Sequence, residues 1–168
     1  MPRLFLLRHA KSSHDDPSLA DHDRPLAPRG ERAAKAVGRY MRKHELSPAL
    51  VLCSSATRAL HTFEGISAGI GASADVRIES GLYEASAGEL LERLRRISDD
   101  VPSAMLIGHN PAIERLALDL AASGPDLDDM ARKYPTGALA VLELNGSWSA
   151  LDGDGASLVV FVKPRDLD

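Results

Sequence analysis

The sequence predicts an α/β protein in which helices cover both faces of a mostly parallel, mixed sheet. Two observations lead to this fold class. Short apolar runs alternate along the chain with helical patterns, and the last two runs are joined by turn residues instead of a helix. The chain has 168 residues, 44% of them hydrophobic, which suits a single domain over residues 1–168. We therefore expect a three-layer α/β/α sandwich.

Six short apolar runs are predicted to form the strands of this sheet. In chain order they are Leu4 to Leu7, Leu50 to Cys53, Val76 to Ile78, Ala104 to Ile107, Ala138 to Leu144 and Leu158 to Val162. The connection between the last two runs contains Asn145-Gly146 and is too short for a crossover helix, so we expect that pair to be antiparallel. The sheet should then carry an antiparallel strand at its edge.

Apolar residues at helical spacing predict four helices between these strands. The four stripes are Ala33, Val37, Tyr40 and Met41; Leu60, Phe63, Ile66 and Ile70; Leu90, Leu91, Leu94 and Ile97; and Ile113, Leu116, Ala117 and Leu120. The stretch from His14 to Arg29 is polar, contains proline and has no periodicity. A loop of this kind over an active site is a common functional element.

Polar side chains follow three of the predicted strands, at the point where each strand ends. Arg8 and His9 follow the first strand, Arg58 comes shortly after the second, and His109 follows the fourth. In open α/β sheets, ligands bind beyond the carboxyl ends of parallel strands. The sequence therefore predicts that these four side chains converge on one edge of the sheet.

The helices that follow two of these strands would place their N-termini at the same edge, where they favour binding of an anion. We expect Ser54 or Ser55 to cap the second helix, which would put Arg58 in its first turn. Asn110 followed by Pro111 is a suitable cap and first helical residue for the fourth helix. Free backbone amides and cationic side chains would then point at one ligand.

The types of these residues indicate phosphoryl transfer. A guanidinium offers a rigid fork of donors that matches phosphate oxygens, so Arg8 and Arg58 together suit a phosphoryl group. Two nearby guanidinium groups also disfavour the protonated form of His9, and a neutral imidazole is the form that can attack phosphorus. A single histidine at a strand end is more often structural, but three separate strand ends carrying costly polar groups favour a site.

The composition excludes some classes of partner. The formal net charge of −4 provides no general attraction to nucleic acid or an anionic membrane. Cys53 is the only cysteine, which favours a reducing compartment, and we expect the cytoplasm. The apolar run before Arg8 is too short for a signal peptide core or a membrane span. The sequence leaves self-association open.

Several residues near the predicted site have simpler interpretations. Cys53 could be a thiol nucleophile, but its loop lacks a glycine-rich phosphate cradle, and core packing is the preferred interpretation. Lys11 is interpreted as a solvated loop lysine. No metal site is expected, because four other histidines form no recognisable ligand motif with His9. These are His14, His22, His44 and His61.

The motifs at the strand ends resemble the histidine phosphatase superfamily, also called phosphoglycerate mutase-like, and within it the short SixA-like branch of phosphohistidine phosphatases. The matching segments span Leu6 to Gly137 in the family's order. They are Leu6-Leu7-Arg8-His9-Ala10-Lys11-Ser12, Arg24-Pro25-Leu26, Ser54-Ser55-Ala56-Thr57-Arg58, Leu82-Tyr83-Glu84, Ile107-Gly108-His109-Asn110-Pro111 and Tyr134-Pro135-Thr136-Gly137. One departure is Ala10, where the superfamily's Arg-His-Gly hallmark has glycine.

This resemblance implies roles for the same residues. His9 would be phosphorylated transiently and regenerated by water, while Arg8, Arg58 and His109 hold the phosphoryl oxygens. No metal or organic cofactor would be required. Glu84 falls in the segment where many members carry an acidic proton donor, and its interpretation as a solvated loop carboxylate is equally open.

We therefore expect a phosphatase that hydrolyses phosphohistidine in a protein or peptide. One alternative is a broad phosphomonoesterase for small phosphorylated metabolites, with Glu84 protonating the leaving group. Another is a non-catalytic module that binds phosphorylated partners through the same residues. The sequence does not identify the physiological substrate.

Overall fold

The computed structural model describes residues 1–167 and contains one seven-stranded sheet with five α-helices. The strands are β1 (Arg3–Arg8), β2 (Leu50–Ser54), β3 (Asp75–Glu79), β4 (Ser103–Gly108), β5 (Ala121–Ser123), β6 (Leu139–Leu144) and β7 (Ala156–Val162). The helices are α1 (Pro28–Lys43), α2 (Thr57–Ser67), α3 (Ala87–Arg95), α4 (Ala112–Leu120) and α5 (Leu127–Arg132). Short 3-10 helices span Asp21–Asp23, Ser80–Leu82 and Pro164–Asp166.

The sheet is mixed and has the strand order β3-β2-β4-β1-β6-β7-β5. Strands β1 to β4 are parallel to one another, whereas β6 is antiparallel to both β1 and β7. The mixed sheet and the antiparallel last pair are thus confirmed. The antiparallel strand lies inside the sheet instead of at its edge, because β7 and then β5 pair beyond it. Strand β5, which has three residues and follows α4 directly, is not predicted from the sequence.

Alternate residues of the central strands enter two separate cores, which gives the three-layer sandwich that the sequence predicts. Leu4 and Leu6 face the layer of α3 and α4, where Leu90 and Leu116 are buried. Their neighbours Phe5 and Leu7 face the layer of α1 and α2 and pack in one cluster with Val37, Met41 and Ile66. Burial on both faces explains why these strands are continuously apolar.

The carboxyl ends of the parallel strands lie at nearly the same height in the sheet. Arg8 is level with Gly108, and Cys53 is level with Ile107. The residues that follow β1, β2 and β4 therefore emerge side by side. The fold in this way brings the polar segments at the three strand ends to one edge.

Two features of the last third of the chain complete the fold. The acidic segment around Asp128 and Asp129 forms the short helix α5. Trp148, in the connection between β6 and β7, is fully buried, and its indole donates a hydrogen bond to the carbonyl oxygen of Val101 at 2.8 Å. Within residues 1–167, no helix has the length and apolar character needed to cross a membrane.

Candidate active site

His9 is buried directly beyond β1, and its ring is held by the backbone of the next residue, Ala10. Nδ1 lies 2.7 Å from the carbonyl oxygen of Ala10, which can only accept a hydrogen bond, so Nδ1 carries the proton. The Ala10 amide in turn donates to the hydroxyl of Thr62 on α2 at 2.9 Å. In this tautomer, Nε2 of His9 keeps its lone pair, the form that a nucleophile requires.

The surroundings of His9 keep this imidazole neutral. Burial disfavours the charged form most, and the guanidinium groups of Arg58, Arg8 and Arg24 act in the same direction, against the hydrogen bond to Ala10. Together they lower the pKa of His9 from 6.5 to about 4. The ring is therefore neutral at pH 7 before any substrate arrives, with its single proton on Nδ1.

His109 lies beside His9, at the end of β4. The two ring centroids are 5.2 Å apart, and Nε2 of His109 lies 2.8 Å from the hydroxyl oxygen of Ser54. A hydroxyl that donates to Nε2 leaves the ring proton on Nδ1. Burial first, and then the neighbouring His9 and Arg58, lower the pKa of His109 to about 3. Both histidines are therefore neutral at pH 7.

Arg58, in the first turn of α2, is held in place by Asp21. Nη1 donates to the backbone oxygen of Asp21 at 2.8 Å, and Nη2 donates to its carboxylate at 3.0 Å. The Tyr83 hydroxyl donates to the same carboxylate oxygen, and the Arg58 guanidinium carbon lies 5.8 Å from the Tyr83 ring centroid. Tyr83 and Arg58 therefore hold the pKa of Asp21 well below its usual range.

Arg8 is anchored from the opposite side, by the segment before β6. Its Nη1 donates to the backbone oxygen of Tyr134 at 2.9 Å, and the buried Tyr134 hydroxyl donates to the carbonyl oxygen of Leu6 at 2.5 Å. Burial lowers the pKa of Arg8, although an arginine starts so far above neutrality that it stays charged. Arg8 is thus a fixed cation beside His9.

Three of these residues carry buried nitrogens without a hydrogen-bond partner. Within residues 1–167, the unpartnered buried side-chain atoms are Arg8 Nε, Arg58 Nε and His109 Nδ1. A buried donor that lacks an acceptor is costly, so such atoms are rare and tend to mark functional positions. Two guanidinium donors and an imidazole nitrogen suit the oxygens of a tetrahedral anion.

The segment from His14 to Arg29 packs against this site instead of standing away from it. Ser12 pairs with Leu26 in an antiparallel bridge, and Arg24 donates to the Ser12 hydroxyl at 2.9 Å and to Asp21 at 3.1 Å. Nε2 of His22 lies 2.9 Å from the Ser55 hydroxyl oxygen. The segment therefore supplies Asp21, His22 and Arg24 to the surroundings of Arg58.

Sequence reasoning missed the contributions of Asp21 and Ser54. The Arg24-Pro25-Leu26 and Leu82-Tyr83-Glu84 motifs pointed to these segments, but nothing in the sequence showed that Asp21 would join Tyr83 to Arg58. No role at the site was predicted for His22, which contacts Ser55 and lies edge-on to Tyr83 with ring centroids 4.7 Å apart.

The predicted helix caps differ from those observed. Neither Ser54 nor Ser55 caps α2, which has Ala56 as its N-cap without a side-chain bond. The Ser54 hydroxyl instead accepts from the Ala56 amide at 3.2 Å, because Ser54 still belongs to β2. Helix α4 begins at Ala112, after the expected Pro111, while the Asn110 side chain accepts from the Glu114 amide at 3.2 Å.

Glu84 is exposed in the loop before α3 and lines a cavity of about 430 Å³ together with His109. Tyr83, Asn110 and Arg115 line the same cavity. Glu84 forms no hydrogen bond or ion pair within the described part of the chain. Its role as a proton donor stays a prediction, with an accessible position as its support.

The remaining candidates lie outside this arrangement. Cys53 is fully buried in the core, and burial raises the pKa of its thiol to about 12, so it is not a reactive thiolate. Lys11 is exposed, as expected. His14 contacts Arg24, and the His44 ring lies 4.2 Å from that of Tyr40. No group of three or more potential metal ligands occurs among residues 1–167.

Comparison with known proteins agrees with this fold and these motifs. A model of the histidine phosphatase superfamily (branch 1) matches residues 4–135. An uncharacterised protein of Mycobacterium tuberculosis is 40% identical over 163 residues, which cover 95% of this chain and 100% of the relative. The fold and these similarities define a phosphatase enzyme.

Solved structures show the same relationship. SixA from Nakamurella multipartitia aligns with a TM-score of 0.85 and 32% identity, over 97% of this chain and 96% of that one. SixA from Agrobacterium tumefaciens aligns with a TM-score of 0.81 and 28% identity, over 97% and 99% of the two chains. The chain belongs to the histidine phosphatase superfamily, and the resemblance to its SixA-like proteins is confirmed.

Proposed function

We propose that this enzyme hydrolyses phosphohistidine in a protein or peptide through a phosphorylated intermediate on His9. The observation that carries the proposal is the state of His9: a buried, neutral imidazole with its proton held on Nδ1 by Ala10. The similar SixA proteins are named as phosphohistidine phosphatases, which supports the substrate class.

In the first step, Nε2 of His9 attacks phosphorus and the bond from phosphorus to the substrate imidazole breaks. The leaving imidazole takes up a proton from solvent. Arg8 and Arg58 bring positive charge to the equatorial oxygens, where positioning and electrostatics supply most of the catalysis. His109 donates a hydrogen bond from its Nδ1–H to a phosphoryl oxygen and keeps that proton, while the Ser54 hydroxyl donates a hydrogen bond to its Nε2.

In the second step, water attacks phosphorus and the bond to Nε2 of His9 breaks. Inorganic phosphate leaves and His9 returns to its neutral state. The low pKa of His9 makes its neutral imidazole a good leaving group, provided that the phosphorylated ring keeps its proton on Nδ1. The Ala10 carbonyl holds that proton in place. The same hydrogen bond therefore serves attack and release.

A trapping experiment tests this proposal. The enzyme is mixed with a ³²P-labelled phosphohistidine peptide, quenched within milliseconds in alkali, and the labelled protein is then exposed to acid. We expect a label that is stable in alkali, lost in acid and absent in His9→Ala. Label that persists in His9→Ala, or that survives acid, would overturn the mechanism. Tight peptide binding without any turnover would instead indicate a non-catalytic module.

A broad phosphomonoesterase is the second candidate, because the cavity of about 430 Å³ beside His109 can receive a small leaving group and exposes Glu84 to it. An alkoxide leaves less readily than an imidazole and needs a proton donor. Glu84 is the acidic residue that lines this cavity.

The Glu84→Gln variant separates the two candidates. As a phosphomonoesterase, the enzyme would lose about 100-fold in kcat on alkyl phosphates and keep its activity on phosphohistidine peptides. The matched control is Glu89→Gln on α3, whose carboxylate caps that helix by accepting from the Ser86 amide and does not line the cavity. Equal losses on both substrates would remove the proton-donor role.

We place this activity in a reducing compartment such as the cytoplasm. The support is the single cysteine, Cys53, which is buried and not paired in a disulfide.

A further inference from the structure

A groove of about 730 Å³ lies between α1 and the segment Lys163–Leu167. Seven of its thirteen lining residues are Lys or Arg, and none is Asp or Glu. We call it the basic groove. The formal charge of the whole chain is −4, so this concentration of positive charge is local and opposes the overall balance.

Most of these charges are not used to hold the fold together. Lys163 pairs with Asp129 at 2.9 Å. In the part of the chain that the structure describes, Lys11, Arg29, Arg32 and Lys35 form no ion pair. Like charges gathered on one surface repel one another, and a bound anion removes that repulsion.

The basic groove follows α1 for most of that helix. Arg29, Arg32 and Arg39 line it, and they lie on one helical face at spacings of three and seven residues. A helix rises 1.5 Å per residue, so the ten steps from Arg29 to Arg39 span about 15 Å. The groove is therefore an elongated track, with Ala33 and Ala36 forming apolar floor between the cations.

One end of the basic groove shares backbone with the nucleophile loop. Lys11 is two residues from His9, and its carbonyl oxygen accepts from the Ala27 amide at 2.9 Å, one residue before α1 begins. On the other wall, the Gly137 amide donates to the His9 carbonyl oxygen at 3.0 Å. Gly137 also packs so closely on Pro164 that an added Cβ would lie 2.8 Å from its ring. One end of the track therefore lies next to the loop that carries His9.

We propose that the basic groove docks an acidic segment of the protein that carries the phosphorylated histidine. This inference rests on the proposed function. Carboxylates along a peptide match cations spaced one or two helical turns apart, and apolar side chains between them can pack on Ala33 and Ala36. A long, half-open track suits an extended chain better than a compact ligand.

A kinetic comparison of two double variants tests the proposal. Arg32→Glu with Lys35→Glu reverses two groove charges, and Arg42→Glu with Lys43→Glu makes the same change at the far end of α1, outside the groove. The substrates are synthetic phosphohistidine peptides with either a six-residue Glu-rich or a Gly/Ser flank, together with p-nitrophenyl phosphate.

We expect the groove variant to lose about tenfold or more in kcat/KM on the acidic peptide, through KM, since each reversal replaces an attraction with a repulsion. Activity on the neutral peptide and on p-nitrophenyl phosphate should change less than about twofold. Equal losses in both double variants, or no preference of the wild type for the acidic flank, would overturn the proposal.

A binding assay keeps this result separate from the proposed function. Fluorescence anisotropy with an unphosphorylated Glu-rich peptide measures docking without catalysis. Docking that is lost in the groove variant supports the proposal even if no substrate is hydrolysed, in which case only the proposed function fails. If inorganic polyphosphate or an oligonucleotide binds the groove more tightly than the peptide, the acidic-protein assignment is wrong.

Discussion

Two walls enclose the candidate active site, and they differ in burial and in chemistry. The strand-end wall consists of Arg8, His9, Ser54 and His109, which follow or end β1, β2 and β4. The loop wall consists of Asp21, His22 and Arg24 from the segment before α1. Ser54 and His9 are buried, whereas the Asp21 side chain is 56% exposed.

The difference separates reactivity from alignment. Burial on the strand-end wall lowers the pKa of both histidines and leaves donors unpartnered. The loop wall is more exposed to solvent. It contributes a hydrogen-bond acceptor, the Asp21 carboxylate, that holds Arg58 in position. We infer that the first wall performs the chemistry, while the second positions a cation for it. Changes to the first should therefore have larger and more pH-dependent effects.

Removing a strand-end histidine should give the largest effect. We expect His109→Ala to lower kcat on a phosphohistidine peptide about 10²- to 10³-fold, as for loss of a donor to a developing charge. Steady-state kinetics measures this, with circular dichroism to verify the fold. A loss of less than about fivefold would show that His109 does not contact the phosphoryl group.

The neutral histidines should also make stability depend on pH. The unfolded chain protonates His9 below pH 6.5, whereas the folded chain does so only near pH 4. The unfolded state binds more protons between these values, so the free energy of unfolding falls as pH decreases through this window. A shift of this size corresponds to about 3 kcal/mol. Urea unfolding from pH 7 to 4.5 should show a shallower decline for His9→Gln, and parallel declines would contradict this.

The loop wall should give an intermediate effect. Asp21→Asn keeps the size of the side chain but weakens its bonds to Arg58 and Tyr83, so we expect kcat/KM to fall about tenfold, on the scale of charge-assisted hydrogen bonds. Tyr83→Phe, which removes a second donor to the Asp21 carboxylate, should act in the same direction. A lower KM in Asp21→Asn would show instead that the carboxylate competes with the phosphoryl group for Arg58.

The smallest effect is expected for the histidine of the loop wall. His22→Ala removes one hydrogen bond to Ser55, which corresponds to about threefold in kcat. This variant is the matched control for His109→Ala, since both delete an imidazole near Tyr83. If the two losses are similar in size, the division between the walls fails.

The strand-end wall could be predicted from the sequence and the loop wall could not. A polar residue at the end of an apolar run can be recognised in the sequence itself, and parallel topology brings such strand ends together. His9 and His109 are found in this way. Asp21 lies in a stretch without periodicity, and its contact with Tyr83 joins residues 62 positions apart. No local pattern encodes such a contact.

Other differences between the prediction and the structure also arise from tertiary contacts. Ser54 offers the same hydroxyl to a helix cap or to a neighbouring imidazole, and only the tertiary position of His109 decides between them. Strand β5 has three residues and no apolar run, so it depends on its partner β7 for its existence. The Lys and Arg residues of the basic groove can be counted in the sequence, but only the structure shows that they line one common surface.

The buried Cys53 determines how this phosphatase responds to oxidants. Peroxide attacks thiolates that solvent can reach, and enzymes with a cysteine nucleophile stop working when that atom is oxidised. Here the thiol is protonated and enclosed in the core, and the reacting atom we assign is a nitrogen. Dephosphorylation by this enzyme should therefore continue under oxidative stress that inactivates phosphatases with a cysteine nucleophile.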